Sequence, residues 1–155
     1  MKLGDVLRKE RERKRLPEEV VAQALSLPVD EYRALEGGES QIEEWGQKLA
    51  QIAIKLATPT SRLISETGRA AQAKQVDGQC AKLIKSHRER RQLGQQEFAE
   101  RVGMSVDEIA AIENGHSPLE TYAPLLLRFA EVIDQPIFNL FYPCGLPLEK
   151  LEDYP

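Results

Sequence analysis

Two runs of cations offer most of the chemistry in this sequence: RKERERKR at residues 8–15 and KSHRERR at 85–91. Arg11, Arg13, Lys14, Arg15, Arg88, Arg90 and Arg91 carry the charge and the donors to hold phosphate oxygens. The interleaved Glu10, Glu12 and Glu89 offer local ion pairs instead, and cations that end a helix gain from its dipole. A solvated charged face therefore accounts for the same residues. So does a basic helix that meets an acidic one of another repeat or chain. Uncharged donors follow at Gln95, Gln96 and Ser105, and carboxylate pairs stand at Asp30-Glu31 and Asp107-Glu108. A catalytic centre is not expected, since no nucleophile–base pair, phosphate-cradling glycine loop or metal cluster can be assembled. No metal and no cofactor are expected. Cys80 and Cys144 lie far apart without a CxxC, which suggests neither a disulfide framework nor a zinc site, and Cys80 reads as a small core residue. His87 and His116 read as surface or capping residues.

The elements that must position these groups come in two matching sets. Shifting the chain by 77 positions aligns residues 1–65 with 78–142 without a gap, and 17 of the 65 pairs are identical. Such self-similarity marks an internal repeat. Leu3, Val6 and Leu7 match Cys80, Leu83 and Ile84 at helical spacing, giving a first helix that ends near Arg15 and Gln92. Val21, Ala22 and Leu25 against Phe98, Ala99 and Val102 give a second. After a brief turn, Val29, Tyr32 and Leu35 against Val106, Ile109 and Ile112 give a third, stopped by Gly38 and Gly115. Ser40 and Ser117 suit the start of a longer fourth helix with Leu49 and Leu126 in its apolar stripe, and Pro59 and Pro136 each open a short fifth. No stretch alternates with the period of a strand. The fold class expected is all-α, with units at 1–66 and 78–142, a linker at 67–77 and a tail at 143–155.

Five short helices with a tight turn between the second and third resemble the lambda-repressor-like, XRE-type helix-turn-helix family. The likeness runs from LIKSHRERRQLGQQEFAERVG through MSVDEIAAIENGHSPLETYAPLLLRFAEVIDQPIFNLF in the second copy. The first copy, VLRKERERKRLPEEVVAQALSLPVDEYRALEGGES, is similar but degenerate: Ser26 stands where the second has the family's turn glycine, Gly103, and Pro28 opens its third helix. The resemblance implies that the third helix enters the major groove of double-stranded DNA while the start of the second holds its backbone. That assigns contacts to Gln95 and Gln96, where the first copy has Glu18 and Glu19, and to Ser105, Val106, Asp107 and Ala110 on the third helix. Arg33 is the one good donor on the first copy's third helix. Asp107 and Glu108 fit three roles: favourable charge at a helix N-terminus, worth roughly 0.3–1 kcal/mol, acceptance of a hydrogen bond from cytosine N4, or a protein-binding face.

The net charge of −4 argues against a protein that coats nucleic acid indiscriminately. The main expectation is a DNA-binding transcriptional regulator whose second copy makes most contacts. The alternative is a protein-interaction module that kept the fold and lost its DNA face, meeting a homodimer or protein partner through the third helices or the tail. No apolar run is long enough to span a membrane, and MKLGDVL leads straight into charge without a signal-type segment, so a cytoplasmic protein is expected. The linker, fully extended, reaches about 36–40 Å, enough for two half-sites about 34–36 Å apart; were it helical, the two units would pack together.

Overall fold

The structure is a computed structural model that describes residues 1–70 and 78–145. Among them all regular structure is helical. The first half holds α1 (Leu3–Arg13), α2 (Glu18–Ala24), α3 (Val29–Glu36), α4 (Ile42–Lys55) and a 3-10 turn at Thr60–Leu63. The second holds α5 (Gln79–Arg90), α6 (Gln95–Val102), α7 (Val106–Glu113), α8 (Leu119–Val132), the short α9 (Phe138–Phe141) and a 3-10 turn at Tyr142–Cys144. The first helices stop two residues earlier than the apolar pattern suggests, at Arg13 and Arg90. Most of the linker and tail readings fall on 71–77 and 146–155, outside the described residues.

The backbone repeats with the same shift as the sequence. Left-handed residues occur at Arg15 and Gln92, Ser26 and Gly103, Gly38 and Gly115, Ala57 and Asp134, and Gly68 and Gly145, every pair 77 apart. Ser26 thus adopts, at φ 59°, the turn conformation that Gly103 adopts at 74°. A side chain there costs on the order of 1–2 kcal/mol, a burden the second half avoids with glycine.

Conserved polar pairs between the halves turn out to be fasteners. Glu43 on α4 accepts from the main-chain N–H of Leu3 (2.8 Å) and Gly4 (2.7 Å), capping α1, and Glu120 on α8 accepts from Ala81 N–H (3.0 Å) on α5. Helix N-termini leave such donors orphaned, so a carboxylate from a neighbouring helix both satisfies them and locks the packing angle. Ser40 Oγ and Ser117 Oγ accept from the N–H of Ile42 (3.1 Å) and Leu119 (3.2 Å) at the starts of α4 and α8.

The halves do not stand apart. α4 lies against α8, α2 touches α8 while α6 touches α4, and α1 meets α9 while α5 meets the turn at Thr60–Leu63. These pairings exchange with one another, or map onto themselves, when the halves are swapped, as a two-fold relation within one chain requires; α4 also meets α9. One continuous apolar core runs through both and includes Leu3, Tyr32, Leu49, Cys80, Phe98, Leu126 and Phe141. Gly46 lies at the junction: a Cβ there would crowd the side chain of Leu3 at 2.7 Å and stand in ordinary contact, 3.7 Å, with Leu126 and Phe141 of the other half. Cys80 is fully buried, and that burial, foremost, pushes its thiol well above the ordinary range, so it packs as an inert small residue.

Candidate nucleic-acid interface

In the second half, α6 and α7 bury Phe98, Ala99, Ile109 and Ile112 and are joined by a turn in which Gly103 N–H and Met104 N–H satisfy carbonyls of α6. Packing one side leaves the other in solvent: Gln96, Glu97, Glu100, Arg101, Ser105, Val106 and Asp107 are exposed, and Glu108, Ala110 and Ala111 are half-buried. Ser105 Oγ accepts from Glu108 N–H at 3.1 Å, so this hydroxyl caps α7. Val106 keeps 37% of its surface, unusual for a large aliphatic residue. Asn114, exposed at the far end of α7, is an amide donor on the same helix that the apolar pattern does not single out.

The expected phosphate ligands divide sharply. Arg88 is turned inward: its Nε and Nη2 donate to Glu113 at 2.6 and 2.8 Å and its Nη1 to Leu93 O at 2.6 Å. Arg11 does the same in the first half, with Glu36 at 2.6 and 3.1 Å and Leu16 O at 3.0 Å. Neither is placed as a phosphate ligand, because all three nitrogens of each guanidinium bond within the protein, two to the third helix and one to the carbonyl that follows the first. This is what the identities Arg11/Arg88, Leu16/Leu93 and Glu36/Glu113 encode. The Glu113 carboxylate raises the Arg88 guanidinium further above its ordinary range despite desolvation, as Glu36 does for Arg11. Gln95 joins the same network, its Nε2 donating to Glu113 Oε1 at 3.1 Å, so it too serves the interior.

Of the other cations, Arg33 and Arg13 meet carboxylates. Arg33 is ringed by Glu18 (3.3 Å), Glu19 (3.6 Å) and Asp30 (3.7 Å), with Glu31 exposed beside them, so the outward side of α2 and α3 is acidic and its one donor is engaged. Arg13 pairs with Glu10 at 3.3 Å. Lys14 and Arg15 are exposed. Arg90 and Arg91 line a groove between α5 and the turn at Thr60–Leu63. His87, expected at the surface, is half-buried in that groove.

On α7 the surprise is Glu108. Lys48 of α4 reaches across the junction and binds its Oε2 at 2.9 Å, holding the Glu108 carboxyl below its ordinary range. Lys48 itself sits 4.3 Å from the ring centre of Trp45 and 3.7 Å from Glu44. One of the two carboxylates at the start of α7 is therefore neutralised from the other half. No helix among the described residues is long and apolar enough to cross a membrane.

The helix-turn-helix family model matches residues 84–132, from within α5 to the end of α8, and so takes in α6, the turn at Gly103 and α7. The match lies wholly in the second half. No curated protein and no solved structure matches the chain.

Proposed function

We propose that this chain is a cytoplasmic DNA-binding regulator of the XRE-like helix-turn-helix kind, built from tandem five-helix units, in which the second unit docks on duplex DNA. The observation that carries the reading is the family match over α6 and α7, a helix pair whose outer side remains open although the halves are packed together. Gln96, released from its 3.3 Å contact with Glu100, donates to a phosphate at the mouth of α6. Val106 and Ala110 present methyl groups suited to the methyl of thymine, and Asp107 accepts from cytosine N4. Lys48 supports the same docking by cancelling Glu108. The first unit acts as scaffold, since the carboxylates around Arg33 repel a polyanion.

Few cations remain free on this face, so contact with roughly two or three phosphates is expected, and log K against log salt should slope at about −2 to −3. Gln96→Glu should weaken duplex binding by about 1–3 kcal/mol at low salt, while far-ultraviolet circular dichroism stays unchanged. Absence of binding to a diverse duplex library at low salt refutes the reading. The acidic ring about Arg33 would then favour the second one, a module whose α2–α3 face meets a basic protein surface.

A further inference from the structure

A concentration of positive charge also lies away from α6 and α7. Between α5 and the turn at Thr60–Leu63 is a groove of about 820 Å³. Arg62, Lys82, Arg90 and Arg91 line it against a single carboxylate, Glu66, in a chain whose net charge is −4. Among the described residues none of these four cations forms an ion pair. Like charges gathered around a single counter-charge repel one another, so the arrangement costs stability unless an anion completes it.

Two of the guanidinium groups are already fixed in place. Arg91 donates to His87 O at 3.0 Å and, across the junction, to Thr58 Oγ1 at 2.9 Å. Arg62 donates to the main-chain oxygen of Glu66 at 2.7 Å, and a Cβ at Gly68 would stand 3.3 Å from its Nε, room that the missing side chain leaves. Preorganised donors bind an anion without the entropic cost of ordering long side chains. His87 registers the same field: burial, foremost, and then Arg90, Arg91 and Arg62 push its pKa below the ordinary histidine value.

We propose that this groove binds an oligophosphate chain, as free polyphosphate or as the phosphates of a nucleotide, and that the bound chain ties the two halves together. A concave site of this volume falls in the range of small-molecule sites, roughly 300–1,000 Å³, and is unlike the open surface that a rod-shaped duplex needs. Four cations on two elements match several linked phosphoryl groups better than one. Because Arg62 belongs to the first half and Lys82, Arg90 and Arg91 to the second, the ligand bridges the same junction that the Arg91–Thr58 bond crosses.

The test is titration calorimetry of the full chain, without divalent metal and at low ionic strength, with inorganic triphosphate in one arm and ATP in the other. Saturable binding is expected with triphosphate, weakened tenfold or more by Arg62→Glu and by Lys82→Glu, with sulfate at equal ionic strength failing to compete. Equal affinity for ATP assigns the site to the phosphate chain alone, and tighter ATP binding assigns it to a nucleotide. The imidazole of His87, followed by NMR, should shift its titration upward once the anion is bound. Absence of saturable binding in both arms, or binding that both charge reversals leave intact, overturns the proposal. Duplex affinity of the same variants is measured in parallel: triphosphate binding without duplex binding sustains the groove and sinks the DNA reading. Duplex binding with no triphosphate binding does the reverse.

Discussion

Arg88→Ala tests whether the conserved arginine of the first helix is an internal clamp. Its side chain keeps 9% exposure and that of Glu113 keeps 2%, with two guanidinium–carboxylate bonds of 2.6 and 2.8 Å and a third to Leu93 O. Truncation leaves the Glu113 carboxylate in the interior with only the 3.1 Å donor of Gln95. Breaking one side of a buried pair costs about 3–5 kcal/mol, because the survivor is charged and desolvated. Total stability of a domain is about 5–15 kcal/mol, so this is about a fifth of it or more. For a chain of this length each kcal/mol moves the melting temperature by roughly 2–4 °C, which predicts a drop of about 6–20 °C. Urea unfolding followed by circular dichroism, with a common m-value, measures the loss. Exposed Arg90, changed to Ala, should stay within about 0.5 kcal/mol of the parent. Arg88→Met with Glu113→Leu should recover most of the loss, since an apolar pair needs no counter-charge. The reasoning fails if Arg88→Ala costs no more than Arg90→Ala, or if the double variant is as unstable as the single one. An Arg88 that served phosphate would instead cost duplex affinity and leave stability alone.

Gly4→Ala should destabilise the first half by about 2 kcal/mol or more, although alanine is the better helix former by about 1 kcal/mol. Its Cβ would run into the main-chain oxygens of Leu35 and Glu36, and backbone cannot rotate aside as a side chain can; unchanged thermal stability would contradict this. Stability should also fall as pH drops from about 7 to 5. His87 has a folded pKa below its unfolded value, so the unfolded chain takes up the proton first and the contribution present above pH 6.5 is lost on acidification. His87→Gln should flatten that part of the profile; parallel profiles for parent and variant would remove His87 as the cause.

Helix order was legible because apolar spacing and glycine stops are local properties, as at Gly38 and Gly115. The role of the repeated charges was not. Arg88 and Glu113 lie 25 residues apart, so along the sequence Arg88 has only near neighbours such as Glu89, and a solvated face or a phosphate grip are the natural readings. One signal was available: where two copies differ at 48 of 65 aligned positions, the other 17 being identical, an arginine, a leucine and a glutamate retained together at matching positions ask for a joint explanation. The packing of the halves was likewise hinted at by Leu125, Leu126 and Leu127, three apolar neighbours that exceed the single stripe a helix needs to cover one core. Linker length could not decide the matter, because reach sets only an upper bound on separation.

The two-fold relation also explains why the two candidate reading faces differ although Asp30-Glu31 and Asp107-Glu108 are the same pair of residues. Exchanging the halves carries Lys48 onto position 125, and that residue is leucine. Glu108 therefore has a cation delivered by α4, whereas Glu31, at the equivalent place, is exposed and takes part in no ion pair among the described residues. At the mouths of the preceding helices the second half has Gln95 and Gln96 where the first has Glu18 and Glu19. Both differences act in the same direction. Each lowers negative charge at α6 and α7, and each leaves α2 and α3 acidic. Under the proposed DNA reading, a polyanion would distinguish the halves by charge alone, before any base is read, and would meet the second with less repulsion.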